Sequence, residues 1–346
     1  MKLVTFIPPG ETTPRPGVLL APAADWATGH VLDLPAAFAQ HPGVAPQPCP
    51  PTVLGLLEAG PAMMDAVRGL LDALHLDARA APAEEQAAGL DGLVYRLPAA
   101  RLLAPVPRPP TIRDFYAFEQ HVKAARALRG LDMVPEWYQI PVFYYSNPGA
   151  VIEPGAPLEM PQITDLDFEL ELAAVIGRPG RDIPVEQADR YIAGYTIMND
   201  WSSRDIWRQY ESKLSMGPAK SKDFATSLGP WLATPDELDT RRSGRGAEAR
   251  YDLEMVARVN GREYSRGNAA AITYTFAQMI AWASRDVCLY PGDVLGSGTV
   301  GTGCILELRP ETVGGWLKPG DVVDLEVSEL GVLRNHVVAR GEGAGS

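Results

Sequence analysis

The sequence predicts a β-rich α+β fold, and three observations point there. Strand-like apolar runs follow one another with few helices between them, whereas a doubly wound sheet needs a helix after each strand. Thirty-three glycines and thirty-two prolines are scattered along 346 residues, which implies many turns between short elements. Hydrophobic residues make up 46% of the chain, enough for a sizeable core in one large domain or two ordinary ones.

The elements are expected in the following order. The first ten residues lack a long apolar core and a small-residue cleavage site, so they read as a first strand rather than a signal peptide. Residues 3–7 and 17–21 are β-like. Residues 54–76 are rich in Ala and Leu and predict one or two helices, and 79–88 a loop or short helix. The stretch Pro105-Val106-Pro107-Arg108-Pro109-Pro110 excludes both a helix and a central strand. It divides a small N-terminal unit, 1–104, from a larger one, 105–346. Thr111 is placed to cap a helix over 112–129 that ends at Gly130, with Phe115, Phe118, Val122, Ala125 and Leu128 at helical spacing. Strands follow over 142–145, 165–172, 195–199, 253–259, 294–298, 322–327 and 335–339. Asn260-Gly261 predicts a hairpin turn, and 274–284 a second helix.

Composition narrows the partners. A net charge of −12 without a Lys/Arg block opposes nucleic acid and anionic membrane. No run approaches the ~20 apolar residues of a membrane span. Cys49, Cys288 and Cys304 are widely spaced and suggest neither a disulfide framework nor a zinc pattern, which fits a reducing cytoplasm.

The segment most informative about chemistry is Asp165-Leu166-Asp167-Phe168-Glu169-Leu170-Glu171-Leu172. Its strict alternation would bury one strand face and line up four carboxylates on the other. Such a row repels itself, and Asp and Glu are poor strand formers. A solvated sheet face would explain one acidic residue. Four without an interleaved Lys, Thr or Ser favour a divalent cation, since alternate residues lie roughly 7 Å apart and can converge on one ion. Asp114 and His121 are seven residues apart, two turns of the expected helix and so on one face, although a dipole role for the Asp and a structural His are the commoner readings. Asp200 ends an apolar strand, as a ligand or an N-cap. The stretch 217–226, with Lys220, Lys222 and hydroxyl groups between turn formers, is a loop that either binds an oxyanion or is merely solvated. Glycines in the 290–301 stretch allow close backbone approach, but neither a P-loop nor a dinucleotide fingerprint is present.

Together these segments resemble the fumarylacetoacetate hydrolase family over roughly residues 104–340. The matching pieces are Asp114-Phe115-Tyr116 with His121, Leu166 to Ala173, Met198 to Asp205, Lys222 to Thr226 with Leu228-Gly229-Pro230-Trp231, Pro291 to Val294, Ser297-Gly298-Thr299 and Leu317 to Asp321. The resemblance implies a mixed β-sheet roll of the family's C-terminal type, a small separate N-terminal β domain and a homodimer. It also implies a divalent metal on Glu169, Glu171 and Asp200, with Asp114 added as in the longer members, and leaves Asp165 and Asp167 as flanking residues. Mg²⁺ is the usual ion, with Mn²⁺ or Ca²⁺ as alternatives that an all-oxygen site suits, unlike zinc.

The implied reaction is hydrolysis of a carbon–carbon bond in a β-diketone acid, in the breakdown of aromatic compounds. His121 oriented by Glu307 would activate water, and Arg204 and Lys222 would offset developing negative charge. Tyr144 and Thr299 would contact this small oxo-acid, and Thr226 would lie near the metal. Trp207 departs from the family's pattern, in which a Gln follows three residues after Arg204; this touches the substrate pocket and not the metal. Decarboxylation or dehydration of a 2-oxo acid is the alternative within the family, and a non-enzymatic module with structural Ca²⁺ the alternative outside it.

Overall fold

The structure, a computed structural model, describes residues 1–214 and 217–341, so the final residues of the 105–346 unit lie outside the described residues. It is an α+β, sheet-rich fold, as expected. The main sheet has twelve strands, mostly antiparallel, with parallel pairs such as Val294–Gly296 beside Ile112–Phe115. Its centre runs, in spatial order, through Lys2–Ile7, Thr226–Ala233, Ile192–Asp200, Leu170–Ile176, Val294–Gly296, Ile112–Phe115 and Phe143–Ser146. Leu170–Ile176 and Thr226–Ala233 are buried at every position, because both faces of the sheet are covered.

On one face, Leu170, Leu172, Tyr195 and Trp231 share a core with Met255, Leu325 and Leu333. The last three come from a second, five-stranded sheet built from Arg262–Asn268, Glu254–Val259, Val322–Val327, Gly331–Val338 and Pro157–Glu159. Asn260 and Gly261 both have positive φ, the two-residue turn that joins the first pair of these strands. The expected helix near 274–284 spans Phe276–Ala283 and begins with a capping box between Thr275 and Gln278.

The opposite face of the main sheet meets the N-terminal helices. Ala173, Val175, Met198, Leu228 and Leu232 pack with Leu56, Leu57, Val67 and Leu70 of the helices Val53–Glu58 and Pro61–Ala73. The helices expected over 54–76 are therefore present, and their apolar stripe has a physical target. The N-terminal strands build no separate sheet: Lys2 pairs with Ala233 and Leu3 with Leu232, extending the main one.

Two expected elements differ. Residues 112–129 are not one helix. Ile112–Phe115 is a fully buried strand, and the helix is Glu119–Ala127. Pairing with Val294–Gly296 and Phe143–Ser146 overrides local helical spacing, and the Thr111 hydroxyl donates to Asp293 at 2.7 Å instead of capping. The acidic strand is also broken. Leu166–Asp167 and Leu170–Ile176 are separate strands, and Phe168 and Glu169 between them send their N–H groups to the side chains of Asp167 and Asn199. Buried carboxylate and amide oxygens there replace ladder partners.

Candidate active site

Six neighbouring strands of the main sheet each bring one residue to the same region: Thr226, Asp200, Glu171, Gly296, Asp114 and Tyr144. The register makes this so. Asp200 lies opposite Thr226, Gly296 opposite Asp114, and Asp114 opposite Tyr144. Glu169 joins from the break in the acidic strand. The carboxylates of Asp114, Glu169, Glu171 and Asp200 are all buried, with oxygens within 4.8 Å of one another. The Asp114–His121 pair thus reaches the site from a strand and a following helix, not from one helix face.

The donor set fits a divalent cation. Asp114 Oδ1, Glu171 Oε1 and Asp200 Oδ1 are buried without a hydrogen-bond partner among the described residues. Leaving even one carboxylate oxygen so is costly. A Cβ on Gly296 would come within 2.7 Å of Asp114 Oδ1 and 3.0 Å of Glu171 Oε2, so the sheet is bare where the carboxylates converge. Among the described residues two cations pair with these four acids: Lys222 contacts Glu169 and Asp200, and Arg204 donates to Glu169 at 2.6 Å. Arg204 is shared with Asp167 as well, so the four carboxylates stay short of positive charge, which a 2+ ion would supply, and all-oxygen donors suit a hard one.

The electrostatics follow. Burial, reinforced by the charges of Asp114 and Asp200, pushes the Glu171 carboxyl well above the ordinary carboxylate range. Asp200 is pushed well up by burial despite Lys222, and Asp114 is raised by burial too. Glu169 goes the other way: burial would raise it, but Lys222 and Arg204 together outweigh burial and hold it down. The Lys222 ammonium is correspondingly raised by Asp200 and Glu169 against burial. Tyr144 donates to Asp200 at 2.6 Å and Asp114 at 3.0 Å, and burial together with those charges keeps its phenol protonated.

His121, on the helix Glu119–Ala127, is buried, and its Nδ1 bonds the carboxylate of Glu307. Glu307 also accepts from the Thr302 N–H at 3.1 Å, and the Tyr116 ring meets the imidazole edge-on at 5.2 Å. With Nδ1 engaged, Nε2 is the free nitrogen. Cys304 sits near enough to His121 and Glu307 for the three to resemble a second metal group. Burial holds its thiol protonated, however, and the Cys304 thiol and His121 Nδ1 are both already engaged by the Glu307 carboxylate.

His121 and three of the four carboxylates, Asp114, Glu169 and Glu171, line one cavity of about 450 Å³, with Lys222, Arg204 and Thr299 also in its wall. The Thr299 hydroxyl is buried and has no partner among the described residues. Its other walls are largely apolar and include Tyr116, Leu128, Val142, Phe143, Trp207 and Leu306. Asp165 pairs with Arg208, and Asp167 with Arg204, so neither belongs to the four-carboxylate cluster. Thr226 bonds Ser146 at 3.2 Å beside Asp200. Sequence reasoning missed Gly296 as the bare spot under the acids. It also missed Glu211, which accepts from the backbone of Ala219 and Ser221 and so holds the Lys222 loop. The Gly-rich stretch hinted at the first; no local pattern marks the second.

Residues 111–338 match the family model for the fumarylacetoacetate hydrolase C-terminal domain. The chain belongs to the fumarylacetoacetate hydrolase family. It is 36% identical over 174 residues to a 2,4-didehydro-3-deoxy-L-rhamnonate hydrolase of Sphingomonas sp. (strain SKA58), covering 49% of this chain and 55% of that one. It is 33% identical over 199 residues to the human mitochondrial oxaloacetate tautomerase FAHD2A, covering 57% and 59%. The chain thus spans between half and two thirds of these curated relatives. Among solved structures, fumarylacetoacetate hydrolase from Exiguobacterium antarcticum superposes with a TM-score of 0.68 at 25% identity, over 98% of this chain and all of that one. A maleylpyruvate hydrolase from Sphingobium sp. SYK-6, in complex with manganese(II) ion and pyruvate, gives 0.65 at 21% identity over 98% and 99%. The family comprises enzymes, with hydrolases, isomerases and tautomerases among these relatives and structural neighbours.

Proposed function

We infer that this protein is a divalent-metal-dependent hydrolase that cleaves a carbon–carbon bond in a β-diketone acid of the acylpyruvate or fumarylacetoacetate type. The observation that carries this reading is His121, bonded to Glu307, in the wall of the cavity that Asp114, Glu169 and Glu171 of the acidic cluster also line. Asp114, Glu169, Glu171 and Asp200 would hold Mg²⁺ or Mn²⁺. The ion would supply Lewis acidity for the substrate's oxygens.

The chain's own residues supply the rest. Glu307 fixes the Nδ1–H tautomer of His121, leaving the Nε2 lone pair to take a proton from water as its oxygen attacks the acyl carbonyl carbon. The bond from that carbon to the neighbouring methylene then breaks. Its electron pair goes to the methylene carbon and is delocalised onto the adjacent carbonyl, and the proton held on Nε2 quenches it. One water is consumed, and a carboxylic acid leaves together with an oxo acid, pyruvate from an acylpyruvate and a 3-oxo acid from a substrate of the fumarylacetoacetate type. Lys222 and Arg204 in the cavity wall offset the negative charge that develops. Thr299 offers a hydroxyl without a competing partner to the substrate's carboxylate.

The apolar outer wall favours an apolar acyl substituent on the substrate. Support also comes from a relative that is a hydrolase of a didehydro sugar acid and from a structural neighbour, a maleylpyruvate hydrolase in complex with manganese(II) ion and pyruvate. A second reading, tautomerisation of oxaloacetate, is favoured by the name of the human relative. The two separate in one assay, with Mg²⁺ or Mn²⁺ and either an acylpyruvate or oxaloacetate. The hydrolase reading expects pyruvate and a free acid from the first. Intact acylpyruvate with fast keto–enol exchange of oxaloacetate would replace it with the tautomerase. The same proposal includes a homodimer in the breakdown of aromatic compounds; light scattering tests the dimer.

A further inference from the structure

Asp167 is fully buried, and all of its bonds run to the two halves of the site. Oδ1 accepts from the N–H groups of Phe168 at 2.9 Å and Ile305 at 2.8 Å. Oδ2 accepts from the Leu306 N–H at 3.0 Å and Arg204 Nε at 2.8 Å. Ile305 and Leu306 open the one-turn segment Ile305–Leu308, which carries Glu307 and hence the orientation of His121. The first N–H groups of a helical turn have no partner within it, and here the Asp167 carboxylate holds them. The far arm of Arg204 donates to Glu169 at 2.6 Å. An unbroken path therefore runs from His121 through Glu307, Asp167 and Arg204 to Glu169.

We propose that Asp167 is a positioning residue that couples the water-activating dyad to the metal cluster, so that ordering either half orders the other. This rests on the metal reading of the four carboxylates given above. A carboxylate is needed because all four bonds present donors to it; an amide would put its own N–H₂ against one pair of them. The side-chain links of this path are charge-assisted bonds, and they add to the pairing of Leu166–Asp167 with Ser202–Ser203 and to the Leu170 N–H bond to the Gly303 carbonyl, which already join these elements.

Two measurements test it, and neither needs a substrate. In the wild-type protein, adding Mn²⁺ is expected to slow amide hydrogen exchange in residues 302–308, which contribute no metal ligand, as well as in the ligand strands. In Asp167→Asn the protection at 302–308 is expected to vanish, and Mn²⁺ affinity to fall by about 10- to 100-fold, the usual effect of removing an outer partner. Mn²⁺ binding in the wild type with unchanged exchange at 302–308 overturns the coupling and leaves the metal reading standing; this arm decides even if the variant fails to fold. A wild-type affinity in Asp167→Asn also overturns it. Failure of the wild type to bind Mn²⁺ would instead remove the metal reading, and the coupling with it.

Discussion

Gly296 shows what the site requires of a single residue. Its missing side chain is the space into which Asp114 and Glu171 lean. Gly296→Ala is expected to keep the fold, since its backbone φ is not in the left-handed region, and to weaken Mn²⁺ binding by at least about tenfold in a calorimetric titration. Undiminished affinity would mean the carboxylates do not converge over that position. His121→Ala should fold and bind metal normally while turnover drops by about 10²- to 10⁴-fold. A structural module holding Ca²⁺ would show no such loss. Single residues were legible in the sequence to differing degrees. Glu169 and Glu171 stand out because acids at alternate buried positions have few reasons to exist. Gly296 does not, because its role depends on what two other strands place above it.

Among the elements, the longest misreading concerns residues 112–129. Their apolar spacing is helical, yet Ile112–Phe115 is buried between two strands from distant parts of the chain. Helical spacing over four residues is compatible with a strand buried on both faces, so local pattern could not choose between them. The acidic segment failed differently: alternation predicted one strand, and a buried Asp167 taking backbone N–H groups broke it. Strands with a plain alternation or a turn signal, such as Val322–Val327 and the Asn260-Gly261 hairpin, were legible. The segment Trp207–Glu211 gives an element-scale prediction, since Trp207 is one of the large apolar surfaces of the cavity. Trp207→Ala should raise KM for an acylpyruvate with a bulky apolar acyl group by about 10-fold or more, with kcat little changed. An equal rise for a substrate with a minimal acyl group would argue against an apolar acyl subsite.

For the whole molecule, the sheets assemble residues separated by nearly two hundred positions, and no sequence pattern states that closure. The family's motifs, read in order, were what made the site legible before the strand order was known. The closure also gives stability a pH dependence. Asp114, Glu171 and Asp200 have carboxyl groups raised above their unfolded values. Without metal, their contribution is largest below the unfolded range, about pH 4, and is lost as pH rises through the raised folded values. Metal binding requires the ionised forms, so its stabilisation grows in the same direction. The increase in Tm on adding Mn²⁺ should therefore be larger at about pH 8 than at about pH 5, by differential scanning fluorimetry. A shift that shrinks as pH rises would contradict a cluster short of positive charge.

In the proposed hydrolysis, water activated by His121 enters the acyl carbon of a β-diketone acid. Turnover of an acylpyruvate with Mn²⁺ in ¹⁸O-labelled water reads it directly by mass spectrometry of the products. The expected products are pyruvate and a released carboxylic acid carrying ¹⁸O in its carboxyl group, with both lost in His121→Ala. Recovery of intact acylpyruvate by Mn²⁺-loaded protein would contradict it.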